Sequence, residues 1–141
     1  MDGINTDRVA ILIKKASLAA ERAQSPILQG KGLTVSQYKI IKYLYAAPAD
    51  SVRLVDLEAF YSMTHPAVID VVKVLEKKGY CERIPNPADA RSKILSLTER
   101  AYAERGELEA LGDEMEEAVT ANLDDAERTQ LAALLRKLIG E

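Results

Sequence analysis

The run Thr64-His65-Pro66-Ala67-Val68-Ile69-Asp70-Val71-Val72-Lys73-Val74-Leu75-Glu76-Lys77-Lys78-Gly79 decides the fold. Thr64 is placed as an N-cap that accepts a hydrogen bond from the Ala67 amide, and Pro66 falls in the first turn, where a missing N–H costs nothing. Val68, Val71, Val72 and Leu75 follow at i, i+3, i+4 and i+7, and Gly79 stands where a left-handed residue ends a helix. At about 100° per residue these four apolar side chains share one face. Pro66, Asp70, Lys73 and Lys77 then point the other way, leaving a polar face free to meet something.

On the C-terminal side, two short strands are predicted at Tyr80–Ile84 and Lys93–Leu97. The loop between them, residues 85–92, holds Pro85, Pro87, Asn86 and Asp89. It therefore reads as the tip of a β-hairpin that cannot join a larger sheet, a wing. Thr98, with Glu99 in the first turn, starts a long helix through Ala101, Leu108, Leu111, Met115 and Ala118. Residues 122–125 break it, and Ala126–Ile139 reads as a last helix buried through Leu131, Leu134, Leu135 and Leu138.

On the N-terminal side, Ser51 is placed to cap a short helix through about Phe60, with Leu54, Val55 and Leu57 as its apolar residues. Thr34 and Gln37 form a capping box for a helix buried through Ile40, Ile41 and Leu44, which ends at Ala47-Pro48-Ala49-Asp50. The first helix, Asn5–Gln24, spaces Val9, Leu12, Ile13, Ala16, Ala20 and Ala23 at helical intervals. It is expected to stop near Ser25-Pro26, because the residue before proline is pushed out of the helical region. The element order is three helices, a recognition-type helix, a hairpin and two helices. The fold class is mainly α with a small β-hairpin wing.

The 141 residues are 48% hydrophobic, enough for one domain of ordinary size to bury a core. Cys81 is the only cysteine, so no intramolecular disulfide forms, and the composition suits a reducing cytoplasm. The most apolar early stretch, Val9–Ile13, is followed at once by Lys14 and Lys15. That is too short for a membrane span or a signal core. The net charge of −3 argues mildly against gripping nucleic acid along the whole surface, but its distribution is uneven. Residues 1–49 carry 7 basic and 3 acidic side chains, 50–98 carry 7 and 7, and 99–141 carry 5 and 12. A polyanion would therefore meet the first two thirds of the chain and not its acidic end.

Several stretches in fixed order carry a family resemblance. Leu33-Thr34-Val35-Ser36-Gln37-Tyr38, Val74-Leu75-Glu76-Lys77-Lys78-Gly79-Tyr80-Cys81-Glu82-Arg83, Asn86-Pro87-Ala88-Asp89-Ala90-Arg91-Ser92-Lys93 and Leu95-Ser96-Leu97-Thr98-Glu99 resemble the MarR family of winged helix-turn-helix transcriptional regulators. The closing residues 123–128, before Leu131, Leu134, Leu135 and Leu138, are similar to that family's final helix. The resemblance implies one domain over 1–141, with a winged DNA-binding lobe at 33–98 and dimerisation helices at 1–32 and 99–141. It implies a homodimer, a repressor by expectation, reading a palindromic double-stranded DNA site. A small, often aromatic or anionic effector would bind between the dimer helices and the DNA-binding lobe. The apolar stripes of the terminal helices agree, since a lone winged helix offers them little surface to cover.

The residues expected on DNA are Arg53, Thr64, His65, Pro66, Ala67, Asp70, Lys73, Lys77, Asp89, Arg91 and Lys93. Arg91 at the wing tip would enter the minor groove, with Asp89 orienting its guanidinium through a charge-assisted bond. Thr64, His65 and Pro66 open the recognition helix, whose free amides and positive dipole end suit phosphate. Asp70 stands where similar proteins usually carry arginine; it either accepts from a cytosine amino group or pairs with Lys73.

No cofactor or metal is expected, because the chain has one histidine, one cysteine and no glycine-rich phosphate loop. An enzyme is not supported, lacking any nucleophile with a plausible base. Cys81 reads as a small buried residue, with redox sensing, which some proteins of the resembling family perform through a cysteine usually in the N-terminal helix, as the lesser alternative. Tyr38, Tyr43, Tyr45 and Tyr61 are either effector contacts or packing residues. The competing function is a winged-helix dimerisation or protein-docking module that does not read DNA.

Overall fold

The computed structural model of the chain describes residues 7–141. Helix α4 (His65–Lys77) forms as its sequence dictates, with Thr64 Oγ1 accepting from Ala67 N at 3.3 Å and Pro66 in the first turn. Before it lie α1 (Val9–Gln29), α2 (Val35–Ala46), the two-residue strand β1 (Val52–Arg53) and α3 (Leu54–Tyr61). After it come β2 (Cys81–Pro85), β3 (Lys93–Leu97), α5 (Glu99–Ala103), α6 (Arg105–Val119) and α7 (Asp125–Ile139). This is the expected class, mainly helical with a small antiparallel sheet.

The chain forms two compact units, one of Leu28–Leu111 and one joining the residues up to Ile27 to Gly112–Glu141. The core of the first unit is Leu28, Ile40, Ile41, Leu57, Val68, Val72, Leu75, Tyr80, Leu95 and Leu108, all essentially without solvent contact. Burial of each such aliphatic side chain stabilises by about 1.5–3 kcal/mol, so α4 is held by its Val68, Val72 and Leu75 face and its opposite face is left out. In the second unit, Asp124 and Glu127 form a capping box for α7. Arg128 bonds Glu117 at 2.9 Å and the Thr120 carbonyl at 3.3 Å, closing the turn from α6 to α7.

Five expectations are corrected. Helix α1 does not stop at Pro26 but runs to Gln29; of its expected start, Asn5 lies outside the described residues. Proline near a helix end forfeits only one intrahelical bond, and the fully buried Leu28 anchors the last turn. Ser51 is no helix cap, since its Oγ donates to the Pro48 carbonyl at 2.6 Å. The buried Val52 and its neighbour Arg53 go into a strand, and α3 starts after Arg53, whose N–H donates to Asp56 at 2.8 Å.

That strand also means the hairpin does join a further strand: the sheet order is β1-β3-β2, with Val52 opposite Leu95 and Cys81 opposite Leu97. The prolines lie on the β2 side, while β3 carries none, so its edge away from β2 can pair with β1. The long helix expected after Thr98 is broken at Glu104, where φ is −91° and ψ is 2°. Finally, Leu131, Leu134, Leu135 and Leu138 on α7 are not buried within the chain but 42–57% exposed.

Candidate nucleic-acid interface

The outward row of α4 is as predicted: Thr64, His65, Pro66, Asp70, Lys73 and Lys77 are exposed, and Ala67 is half-buried. Among the described residues Asp70, Lys73 and Lys77 have no hydrogen-bond or ion-pair partner, so the alternative pairing of Asp70 with Lys73 does not form. His65 is committed in a way the sequence did not show. Its Nδ1 lies 3.0 Å from Oε2 of Glu58 on α3, across a turn made by Ser62 in the left-handed region at φ 53°. A carboxylate only accepts, so Nδ1 carries the proton and Nε2 is the nitrogen left for another partner.

The wing is tied by side chains onto its own backbone. Asn86 Oδ1 accepts from Ala88 N at 3.0 Å, while Asn86 Nδ2 donates to Ser92 Oγ at 2.9 Å across the loop. Asp89 Oδ1 accepts from Arg91 N, also at 3.0 Å. The expected bond from Asp89 to the Arg91 guanidinium is therefore absent. A short carboxylate two residues upstream reaches the backbone amide more readily than the end of a long side chain. Arg91 remains exposed at the tip, and Lys93 is exposed where β3 begins, opposite Pro85.

Arg53 is not a free cation. Its guanidinium bonds Asp56 through Nη2 at 3.0 Å and Nε at 3.4 Å. The Asp56 carboxyl is held below the ordinary carboxylate range, first by the Arg53 backbone amide and then by the guanidinium. In the Leu28–Leu111 unit, Arg53, Arg83, Arg100 and Arg105 are all ion-paired with carboxylates, and Arg91 is not.

Residues 33–93 match the MarR family. The multiple antibiotic resistance protein MarR of Escherichia coli strain K12 is 27% identical over 129 residues, covering 91% of this chain and 88% of the relative. The crystal structure of a cysteine-to-serine mutant of E. coli MarR complexed with operator DNA superposes with a TM-score of 0.82 at 27% identity, covering 92% of each chain. The S. aureus MepR–DNA complex gives 0.81 at 25% identity, covering 94% of this chain and 96% of that one. Over residues 33–93 the chain is similar to the MarR family, and its fold matches that of these two DNA-complexed regulators.

In this chain the tyrosines pack. Tyr38 donates to the Leu108 carbonyl at 2.9 Å, Tyr45 to the Ala101 carbonyl and Tyr61 to the Lys39 carbonyl at 2.7 Å. Tyr43, Phe60 and Tyr61 meet edge-to-face with ring centroids 4.9–6.1 Å apart. Burial pushes the Tyr45 and Tyr61 hydroxyls up to about 12. Cys81 is buried, and burial first, with Glu76 next, pushes its thiol up to about 12. Among the described residues no group of three or more His, Cys, Asp and Glu side chains is arranged to hold a metal ion. No helix there is long and apolar enough to cross a membrane.

Sequence reasoning missed Glu58, Asn86 and Ser92 as supports of the expected contact residues. Asn86 carried a signal, since an Asn two residues before an amide in a Pro-containing loop favours an Asx turn. Glu58 carried none, because its pairing with His65 depends on the α3–α4 angle.

Proposed function

We propose that this chain is a MarR-type, sequence-specific regulator of transcription that binds double-stranded DNA as a homodimer and acts as a repressor. The outward face of α4 enters a major groove, and the wing enters the adjacent minor groove. The observation that carries the reading is the set of cations left unneutralised in a chain of net charge −3: Lys73 and Lys77 on α4, and Arg91 on a wing pinned by four side-chain bonds. Counterion release at phosphates rewards such groups, and a surface meeting an uncharged partner would not. The DNA complexes of the MarR mutant and of MepR support the same reading.

The homodimer rests on the exposed apolar residues of α1 and α7, among them Val9, Leu12, Leu134, Leu138 and Ile139. A self-complementary face of this kind is what two-fold association covers. The test is titration of the full chain with duplex from the region upstream of its own gene, at several salt concentrations. Affinity should fall steeply as salt rises. Arg91→Ala should weaken binding about tenfold or more and reduce the salt slope by about one. A stable dimer whose affinity for that duplex is absent or insensitive to salt would instead mark a docking module.

A further inference from the structure

We infer that Asp70 makes the reading face of α4 select a cytosine, contacted at its N4 amino group, at one position in each half-site. The inference rests on the DNA-reading function proposed above. Asp70 lies in the exposed row with Pro66, Lys73 and Lys77 and has no bond to any described residue. In a major groove its carboxylate loses water and must find a donor, because an acceptor buried without one is costly. Only two base edges there donate, cytosine N4 and adenine N6; the rest are acceptors or a methyl group.

Adenine sets the N7 lone pair beside N6, facing the second carboxylate oxygen. Cytosine presents its amino group beside a C–H, with no lone pair on that side, and so suits an acceptor-only side chain. Lys73, one turn along on the same face and unpaired, offsets the repulsion between Asp70 and nearby phosphates. Ile69, the neighbouring residue, is half-buried and has no polar side-chain atom with which to take over the contact.

Selection from random duplexes by the full chain, alongside Asp70→Asn and Asp70→Ala, tests this. Asp70 is exposed and unbonded, so all three proteins should melt alike. The natural chain should enrich a half-site with a fixed C·G pair, and exchanging that pair should weaken binding roughly ten- to hundredfold. Asp70→Asn should move the preference at that one position to adenine, since asparagine bonds N6 and N7 together. Asp70→Ala should lose discrimination there and nowhere else. If the natural chain and Asp70→Asn enrich the same base at every position, Asp70 does not read a base, and the DNA-binding function stands without it. If the natural chain enriches no sequence, both the inference and the proposed function fall.

Discussion

Cys81 and Asp89 show how neighbours set the chemistry of single residues. The Cys81 thiol sits inside the sheet and is pushed up to about 12, chiefly by burial. A group whose folded value is raised contributes stability that is fully present below its ordinary value of 9.0 and is lost as pH climbs toward 12. At pH 8 the native chain should therefore resist iodoacetamide, with labelling only after guanidinium unfolding; rapid labelling of the native protein would contradict the burial. Asp89 works through its oxygen and not through its charge, because its partner is the Arg91 amide. Asp89→Asn keeps that acceptor and should leave amide hydrogen exchange at Arg91 nearly unchanged, whereas Asp89→Ala should speed it several-fold. Equal acceleration in both variants would restore an ionic role.

At the scale of elements, the break between α5 and α6 depends on a polar cluster. Glu104 takes Lys31 from the segment after α1, Arg100 from α5 at 2.8 Å and the Tyr80 hydroxyl at 3.2 Å. Arg100 also lies over the Tyr80 ring, 4.5 Å from its centroid. The Lys31 hydrogen bond is the largest influence holding the Glu104 carboxyl below its ordinary value of 4.5. Since its folded value is lowered, the stability it contributes is present above 4.5 and disappears as pH falls below. Glu104→Gln should therefore melt below the natural chain at pH 7, and the gap should narrow below about pH 4. A gap independent of pH would mean that shape, not charge, is what Glu104 supplies.

For the whole molecule, the unfinished surface is the apolar one. Leu134, Leu138 and Ile139 are each more than half exposed, and Val9 is 63% exposed at the start of α1. A chain with such a face is expected to associate. Leu134→Asp should convert a dimer to a monomer in sedimentation equilibrium. Helical content should be largely kept, because the Leu28–Leu111 core contains none of these residues. A natural chain that sediments as a monomer at micromolar concentration would remove the dimer from the proposal. DNA affinity should fall together with dimerisation, since two half-sites are then read separately.

Local pattern alone determined the recognition-type helix, its two faces, the Thr34 and Thr64 caps and the position of the wing, because caps and helical periodicity join residues only a few positions apart. The outward row Pro66, Asp70, Lys73 and Lys77 was legible for the same reason. Tertiary structure decided the rest. β1 is two residues long, too short for any alternation to register, and exists because β3 offers an edge. Glu104 breaks a helix whose periodicity continues through it, where Lys31, 73 residues earlier, meets its carboxylate. His65 turns from a free imidazole into one with a single available nitrogen because α3 brings Glu58 to it. Each of these depends on a contact distant in sequence, and a one-dimensional pattern carries no record of which distant groups will meet.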